Sequence, residues 1–255
     1  MERRFRCTAC GKCCRGWLPL TVRDALANAG RFPLAMVWTP IRPGHKAFEI
    51  TQRLGTTVQL GKRDSLAVRI LPTSYLPPTF SCPALTEDGL CGIHDHKPIR
   101  CRTMPFLALR EEGDQREMLV PRPGWACDTG DTAEVVYRDR TILQREAFDQ
   151  ERAEFLAQLP TLRAYAERVL STTPSLPQTL DKVSRKPGGG HVVIGFATLL
   201  RRLGREQQVG VAQAQRLVLS DMAARTAGVP ALGEYHRQYL DWAGEMEREA
   251  ARAGE

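Results

Sequence analysis

The pattern of apolar and polar residues changes character about halfway along the chain. In the first half, short apolar and β-branched runs alternate with glycine and proline, whereas beyond residue 131 the apolar positions recur at helical spacing. This contrast predicts an α+β protein, with strands and loops in residues 1–130 as one domain and a helical region in 131–255. Within the helical region, 171–190 contains three prolines and three consecutive glycines, and we predict a linker there.

Individual elements follow from the same pattern. Residues 20–30 predict a short helix with Thr21 as its N-cap, and the proline-rich stretch 31–45 predicts a connecting loop. Strands are expected at 48–54, 56–60 and 66–71 in a small antiparallel sheet, followed by a hairpin over 106–121. Helices are expected at 132–159 and, after Pro160, at 162–170, and then at 192–203, 209–227 and 232–251.

Four of the eight cysteines lie within eight residues near the N-terminus, at Cys7, Cys10, Cys13 and Cys14. The spacing Cys-x2-Cys-x2-Cys lets successive sulfurs converge on one point, as in many zinc and iron–sulfur sites. Trp17 stands where a ferredoxin-type run has its fourth cysteine, so a further ligand must come from elsewhere. Because adjacent residues of an extended segment point to opposite sides, Cys13 and Cys14 can serve different sites.

The remaining cysteines are spread more widely. Cys82 and Cys91 bracket a Glu-Asp-Gly turn signal, so we expect a hairpin that brings both sulfurs together, and Cys101 follows ten residues later. Cys127 stands alone, and the pattern leaves open whether it is a ligand or a buried thiol. The Cys-x2-His spacing from Cys91 also leaves His94 open as a nitrogen ligand.

Composition and charge narrow the class of protein. The formal net charge is +7, and residues 1–130 carry all of it, with 19 Lys and Arg against 12 Asp and Glu. Metal ligation deprotonates thiols, so two sites with four thiolates each would reduce the surplus to about +3. We therefore interpret the basic residues mainly as compensation for thiolates, and with no nucleic-acid-binding motif present we expect no nucleic-acid partner.

The sequence gives no sign of a membrane span or of a secretion signal. No apolar run reaches the roughly 18 residues of a membrane span. The first cysteine comes before any apolar signal region could fit, which predicts a cytoplasmic protein. In a reducing compartment, clustered cysteines favour metal over disulfides.

These motifs together resemble the CxxCxxCC proteins, also called the YkgJ-like family of zinc- or iron-chelating proteins. The resemblance rests on residues 5–15, on Cys82-Pro83, on 97–105 and on Cys127-Asp128-Thr129-Gly130. His94 stands where the family usually has tyrosine, and Lys97 where it usually has arginine. The resemblance and the spacings together predict a metal-ligand set of eight thiols: Cys7, Cys10, Cys13, Cys14, Cys82, Cys91, Cys101 and Cys127.

Three functions remain open at this point. The first is an iron or iron–sulfur protein with a redox or cofactor-dependent enzymatic role, and the second is a structural zinc module that presents a helical surface to a protein partner. The third is a protein lysine methylase, because the family is similar to the cysteine-rich part of flagellin lysine-N-methylases. The chain has no glycine-rich strand-to-helix turn to hold a methyl donor, so that activity is not transferred.

Overall fold

The protein is described by a computed structural model that covers residues 2–62 and 64–254, with the side chains of 253 and 254 outside the description. Its strands are β1 (Glu2–Arg4), β2 (Leu18–Pro19), β3 (Leu34–Ile41), β4 (Thr56–Gln59), β5 (Ser65–Ser74), β6 (Val135–Arg138), β7 (Thr141–Ile142) and β8 (Val192–Gly195). Its helices are α1 (Val22–Ala27), α2 (Phe48–Arg53), α3 (Ile99–Thr103), α4 (Glu146–Ala157), α5 (Leu159–Thr172), α6 (Leu176–Ser184), α7 (Ala197–Leu200), α8 (Arg205–Thr226) and α9 (Gly233–Gly254). The predicted α+β class is confirmed.

The larger sheet has five antiparallel strands, in the order β2-β5-β3-β8 with β4 also paired to β5. Side chains of β5 alternate between the two faces of this sheet. Leu66, Val68 and Ile70 enter the main hydrophobic core, whereas Leu71 enters a second core on the other face. The sheet is therefore covered by apolar groups on both faces.

The main core joins the sheet to the helices that follow residue 158. Trp38 of β3 packs against Tyr165 of α5, with ring centroids 5.8 Å apart, and both side chains are buried. Helices α8 and α9 form an antiparallel pair, and each contributes buried residues to this core, among them Leu219 and Tyr239. Strand β8, from the second half of the sequence, pairs with β3, from the first.

The second core lies under a three-stranded sheet of order β1-β6-β7. Phe5, Val136 and Ile142 pack there with Phe106 and with Phe155 of α4. This arrangement places the start of the chain beside residues 126–138, which matters for the cysteines at 7 and 127.

Several predicted elements are confirmed. The Thr21 hydroxyl accepts a hydrogen bond from the Asp24 amide at 3.0 Å and caps α1. Strands β4 and β5 and helices α5, α8 and α9 lie where the sequence predicts them.

Other predictions were wrong. The expected loop 31–45 contains β3, the expected strand 48–54 is α2, and the expected hairpin 106–121 consists of turns with 3-10 segments at Glu112–Asp114 and Arg116–Leu119. The expected helix 132–159 begins with β6 and β7, and the expected helix 192–203 begins with β8. Helix α6 lies within 171–190, and the linker role of that stretch stays a prediction. The division into two domains at residue 130 stays a prediction.

Candidate metal centre

The N-terminal cysteine run is a tight loop held by its own turns. The Cys14 amide donates to the Gly11 carbonyl at 3.0 Å, and Gly11 has a φ of +66°. A Cβ atom at Gly11 would lie 2.6 Å from the Gly89 carbonyl oxygen, because the 82–91 segment packs directly against this loop. Only glycine fits both the backbone angle and this close approach.

The second cysteine segment is the predicted hairpin. Leu85 and Cys91 form an antiparallel bridge, and the Gly92 amide donates to the Ala84 carbonyl at 2.8 Å. The Cys82 amide donates to the Cys14 carbonyl at 2.8 Å. Main-chain pairing therefore sets the hairpin that carries Cys82 and Cys91 beside Cys14.

Helix α3 carries Cys101 toward the same place. The Ile99 amide, at the start of α3, donates to the Asp24 carboxylate at 3.0 Å, so α1 anchors this short helix. On the other side of α3, the Arg100 guanidinium forms an ion pair with Glu151 of α4 at 3.3 Å, and both side chains are buried. Burial raises the pKa of Glu151, while the neighbouring arginine opposes that shift.

Cys127 lies beside the start of the N-terminal run. Arg6 and Asp128 form an antiparallel bridge with hydrogen bonds of 2.8 and 3.0 Å, and the Thr8 hydroxyl donates to the Ala126 carbonyl at 2.9 Å. Main-chain pairing thus sets Cys127 next to Cys7.

The effects of the thiols on one another's pKa divide them into two groups, in agreement with the main-chain pairing. The pKa of Cys14 is raised, first by its hydrogen bond with Cys13 and then by burial and by the charges of Cys13, Cys82 and Cys101. Burial raises the pKa of Cys101 to about 12, with smaller contributions from Cys82, Cys13 and Cys91.

The second group is coupled in the same way. The pKa of Cys127 is also raised by burial and then by Cys10, Cys7 and Cys13. Backbone hydrogen bonds at Lys12 and Ala126 lower the pKa of Cys10. One group is therefore Cys14, Cys82, Cys91 and Cys101, and the other is Cys7, Cys10 and Cys127.

Cys13 lies between the two groups. Its sulfur is 4.0 Å from that of Cys14, and its charge acts on members of both groups. The hydrogen bond from Cys14 lowers the pKa of Cys13 to about 6, with help from Lys97 and Arg100. Assigning Cys13 to the Cys7 group gives two sets of four thiols.

The chemistry of the donors fits zinc or iron, since soft thiolates are the ligands that both metals accept in fours. The side chains are not arranged as a closed coordination shell. In residues 2–62 and 64–254, no group of three or more His, Cys, Asp or Glu side chains is placed so that it could hold a metal ion. What the structure brings together is the four segments that carry the thiols, and the ligand roles of the thiols stay a prediction.

His94 has polar neighbours of its own outside the two thiol groups. Its side chain is 66% exposed, its Nδ1 lies 3.7 Å from the Asp95 carboxylate, and its Nε2 lies 3.3 Å from the Lys97 amine. A ligand role for His94 stays a prediction.

Three of the segments that carry thiols have almost no hydrophobic core of their own. No side chain is buried in 6–19, in 85–97 or in 121–132, and all three ranges lie within the described residues. These loops are held by the main-chain hydrogen bonds given above. Apolar burial, which dominates the stability of folded domains, contributes less here, through the partly buried Trp17, Leu18 and Ile93 that pack against the main core.

Two residues that position the site were missed by the sequence analysis. Asp24 is an acidic residue in the first turn of α1, a common position for such a charge, and Glu151 lies in a run of charged helical residues that gives no signal of burial. Both act through α3: Asp24 accepts its first amide, and Glu151 neutralises the arginine next to Cys101.

Comparison with known proteins supports metal binding by the cysteine-bearing part of the chain. The family model described as "CxxCxxCC: putative zinc- or iron-chelating domain" matches residues 6–127, just under half of the chain, and this range includes all eight cysteines. Neither a search of curated proteins nor a search of solved structures found a match. No helix among the described residues has the length and apolar character that crossing a membrane requires. Residues 6–127 of this chain thus match the model of the CxxCxxCC family, which is described as a "putative zinc- or iron-chelating domain".

Proposed function

We propose that the N-terminal half binds zinc or iron in two four-thiolate sites, and that the metal fastens the loops that carry the thiols. One site takes Cys7, Cys10, Cys13 and Cys127, and the other takes Cys14, Cys82, Cys91 and Cys101. The observation that carries this proposal is that main-chain pairing brings the 82–91 hairpin and the Cys127 segment to opposite ends of one nine-residue run, while the Asp24 carboxylate anchors the helix that carries Cys101.

The adjacent pair Cys13-Cys14 is the point where the two sites meet. Each sulfur can turn toward a different neighbour, Cys13 toward Cys10 and Cys14 toward Cys82, by rotation about its Cα–Cβ bond. Such rotation, together with small movements of the exposed loops, would close each set into a tetrahedral shell.

The surrounding cations suit thiolate ligation. Four thiolates around a dication leave a net charge of −2 at each site. Lys97 and Arg100 already favour the thiolate form of Cys13, and Arg31 acts in the same direction on Cys82. These contacts support our interpretation of the basic excess in residues 1–130 as charge compensation.

The role of the metal follows from the lack of a hydrophobic core in these loops. When a site forms only in the folded state, the free energy of metal binding becomes free energy of folding. Segments without buried side chains gain most from such a linkage. We therefore favour a structural role, in which bound metal orders the 6–19, 85–97 and 121–132 segments.

The test is the metal content of anaerobically purified protein, measured by elemental analysis together with the visible spectrum. We expect two equivalents of metal per chain, with Cys7→Ser and Cys82→Ser each losing one equivalent and the double variant losing both. Ser220→Ala, an exposed position on α8, is the control and should keep both.

The outcomes separate the alternatives. Colourless protein with zinc supports the structural role directly. Iron with acid-labile sulfide and a band near ~400 nm would instead indicate a cluster, and would direct the search to electron donors. Wild-type metal content in both single variants would refute the thiolate assignment, and loss of all metal in either single variant would refute two separate sites.

A further inference from the structure

A polar row crosses an otherwise apolar face of the large sheet. Arg69 of β5 pairs in register with Thr39 of β3, and the Thr39 hydroxyl lies 2.9 Å from Nδ1 of His191, which precedes β8. On the same face, the pairs before and after this one are Ile41 with Ala67 and Val37 with Leu71. The row therefore interrupts an apolar surface on three neighbouring strands.

Arg69 is the unusual member of this row. Its side chain is partly buried, and its guanidinium forms no hydrogen bond and no ion pair with any residue in 2–62 or 64–254. Partial burial of a guanidinium without an anion costs part of its hydration, and arginines inside folded proteins are ordinarily paired. An aliphatic side chain here would simply extend the apolar face.

The polar groups beside Arg69, which are Thr39, His191 and Arg110, are cationic or neutral. Burial, with a smaller contribution from the charge of Arg110, lowers the pKa of Arg69 to about 10. Burial and then the charge of Arg69 lower the pKa of His191. Arg110 itself is paired with Glu117 at 3.0 Å, but no carboxylate among the described residues pairs with Arg69.

We propose that the row formed by Arg69, Thr39 and His191, with Arg110 beside it, binds the oxyanion group of a small molecule, a phosphate or a carboxylate. The planar guanidinium of Arg69 can donate two parallel hydrogen bonds to such a group. The hydrogen bond between the Thr39 hydroxyl and Nδ1 of His191 leaves one further donor for the anion: Nε2–H of His191 when the hydroxyl donates to Nδ1, or the hydroxyl itself when Nδ1–H donates to it. The anion would also separate the positive charges of Arg69 and Arg110.

The row is open to solvent, as a binding site for a small molecule requires. His191 is exposed, Thr39 is partly exposed, and the Arg110 side chain is 32% exposed. The glycines before His191 lead into β8 rather than into a helix, so they offer no helix N-terminus to an anion. The donors in this proposal are therefore side chains rather than that loop.

The experiment is a titration of the full chain with inorganic phosphate or with acetate, against potassium chloride at equal ionic strength. NMR signals of the His191 ring report binding at this place. We expect a saturable shift with at least one of the two anions, and the anion that binds more tightly identifies the class of ligand. Arg69→Gln should weaken that binding by about tenfold or more, because a charge-assisted pair is lost.

Two further variants keep the test decisive. Arg216→Gln makes the same change in charge at an exposed position of α8 and should leave the affinity unchanged. If Arg69→Gln does not fold, His191→Gln, at an exposed position, should weaken binding severalfold instead, with the signals of the neighbouring amides as the readout. The proposal is overturned if neither anion gives a saturable shift, or if the Arg69→Gln protein, or the His191→Gln protein in its place, binds as tightly as the wild type.

Discussion

The buried ion pair between Arg100 and Glu151 ties the cysteine-bearing segment to helix α4, and its removal gives a sharp prediction. The two side chains are 7% and 0% exposed, and the carboxylate oxygen that meets Arg100 at 3.3 Å also accepts from the Ala108 amide at 3.4 Å. Glu151→Gln keeps the shape but removes the negative charge. Arg100 then remains buried without a counter-charge.

The magnitude follows from the burial of both partners. Breaking a buried pair by removing one charge costs about 3–5 kcal/mol, whereas an exposed pair contributes about 0–1 kcal/mol. In a chain of this size each kcal/mol corresponds to roughly 2–4 °C, so we expect Tm to fall by roughly 6–20 °C. The cost is high because Arg100 also donates to the Phe106 carbonyl and cannot turn toward water without losing that bond.

The assay is urea unfolding followed by circular dichroism and tryptophan fluorescence, with metal content held equal. Asp149→Asn on the same helix is the matched control, because its pair with Arg145 at 2.7 Å is exposed. We expect the control to lose about 0.5 kcal/mol or less. A double variant, Arg100→Met with Glu151→Leu, should be more stable than Glu151→Gln, since no unpaired charge remains. A loss below about 1 kcal/mol in Glu151→Gln would refute the reasoning.

Three more predictions test other parts of the structure. Gln215→Leu should lower the free energy of unfolding by about 2–4 kcal/mol in urea, because its buried amide bonds three main-chain groups, while the exposed Gln213→Leu should change it little. Gly11→Ala should reduce metal content by its clash with the Gly89 carbonyl, whereas Gly44→Ala, with a φ of +85° but open space around it, should keep the metal. Removal of metal by a chelator should speed amide hydrogen exchange in the three thiol-bearing loops and leave the large sheet protected; equal exchange with and without metal would contradict a structural role.

How far the sequence predicts this fold depends on whether a residue's local preference agrees with its tertiary contacts. Thr21 was predicted correctly because an N-cap is a local signal. Segment 48–54 was predicted as a strand, yet Ile50 and Leu54 stand four residues apart and pack with Leu71 in the second core, which favours a helix. That contact lies outside the segment, and no local pattern reveals it.

Strand β3 shows the same effect for proline. Pro33 and Pro40 led us to expect a loop, because proline removes a donor from the ladder of hydrogen bonds. Strand β8 pairs only with residues 35–38 of β3, so Pro40 lies beyond its end, where the β8 side of the strand is an edge. Proline is tolerated at such an edge, and the strand continues to Ile41.

In the candidate site, too, local sequence signals could be read from the chain, whereas contacts between distant residues could not. Cysteine spacing and the family resemblance together predict all eight thiols as ligands from the sequence alone, and these ligand roles stay a prediction. Their partition into two groups depends on pairings between residues far apart in sequence, Arg6 with Asp128 and Arg15 with Ser81, which no spacing encodes.

Arg69 is a different case, because its signal was present in the sequence: one charge stands inside the apolar run of β5. A charge at a strand position that faces a core needs a partner, a path to solvent or a ligand. Arg69 is partly exposed, and no carboxylate among the described residues pairs with it. We therefore favour a bound ligand as its partner. On both proposals, the chain combines a loop region fastened by metal, whose cations compensate thiolates, with a separate cationic row that binds an anion.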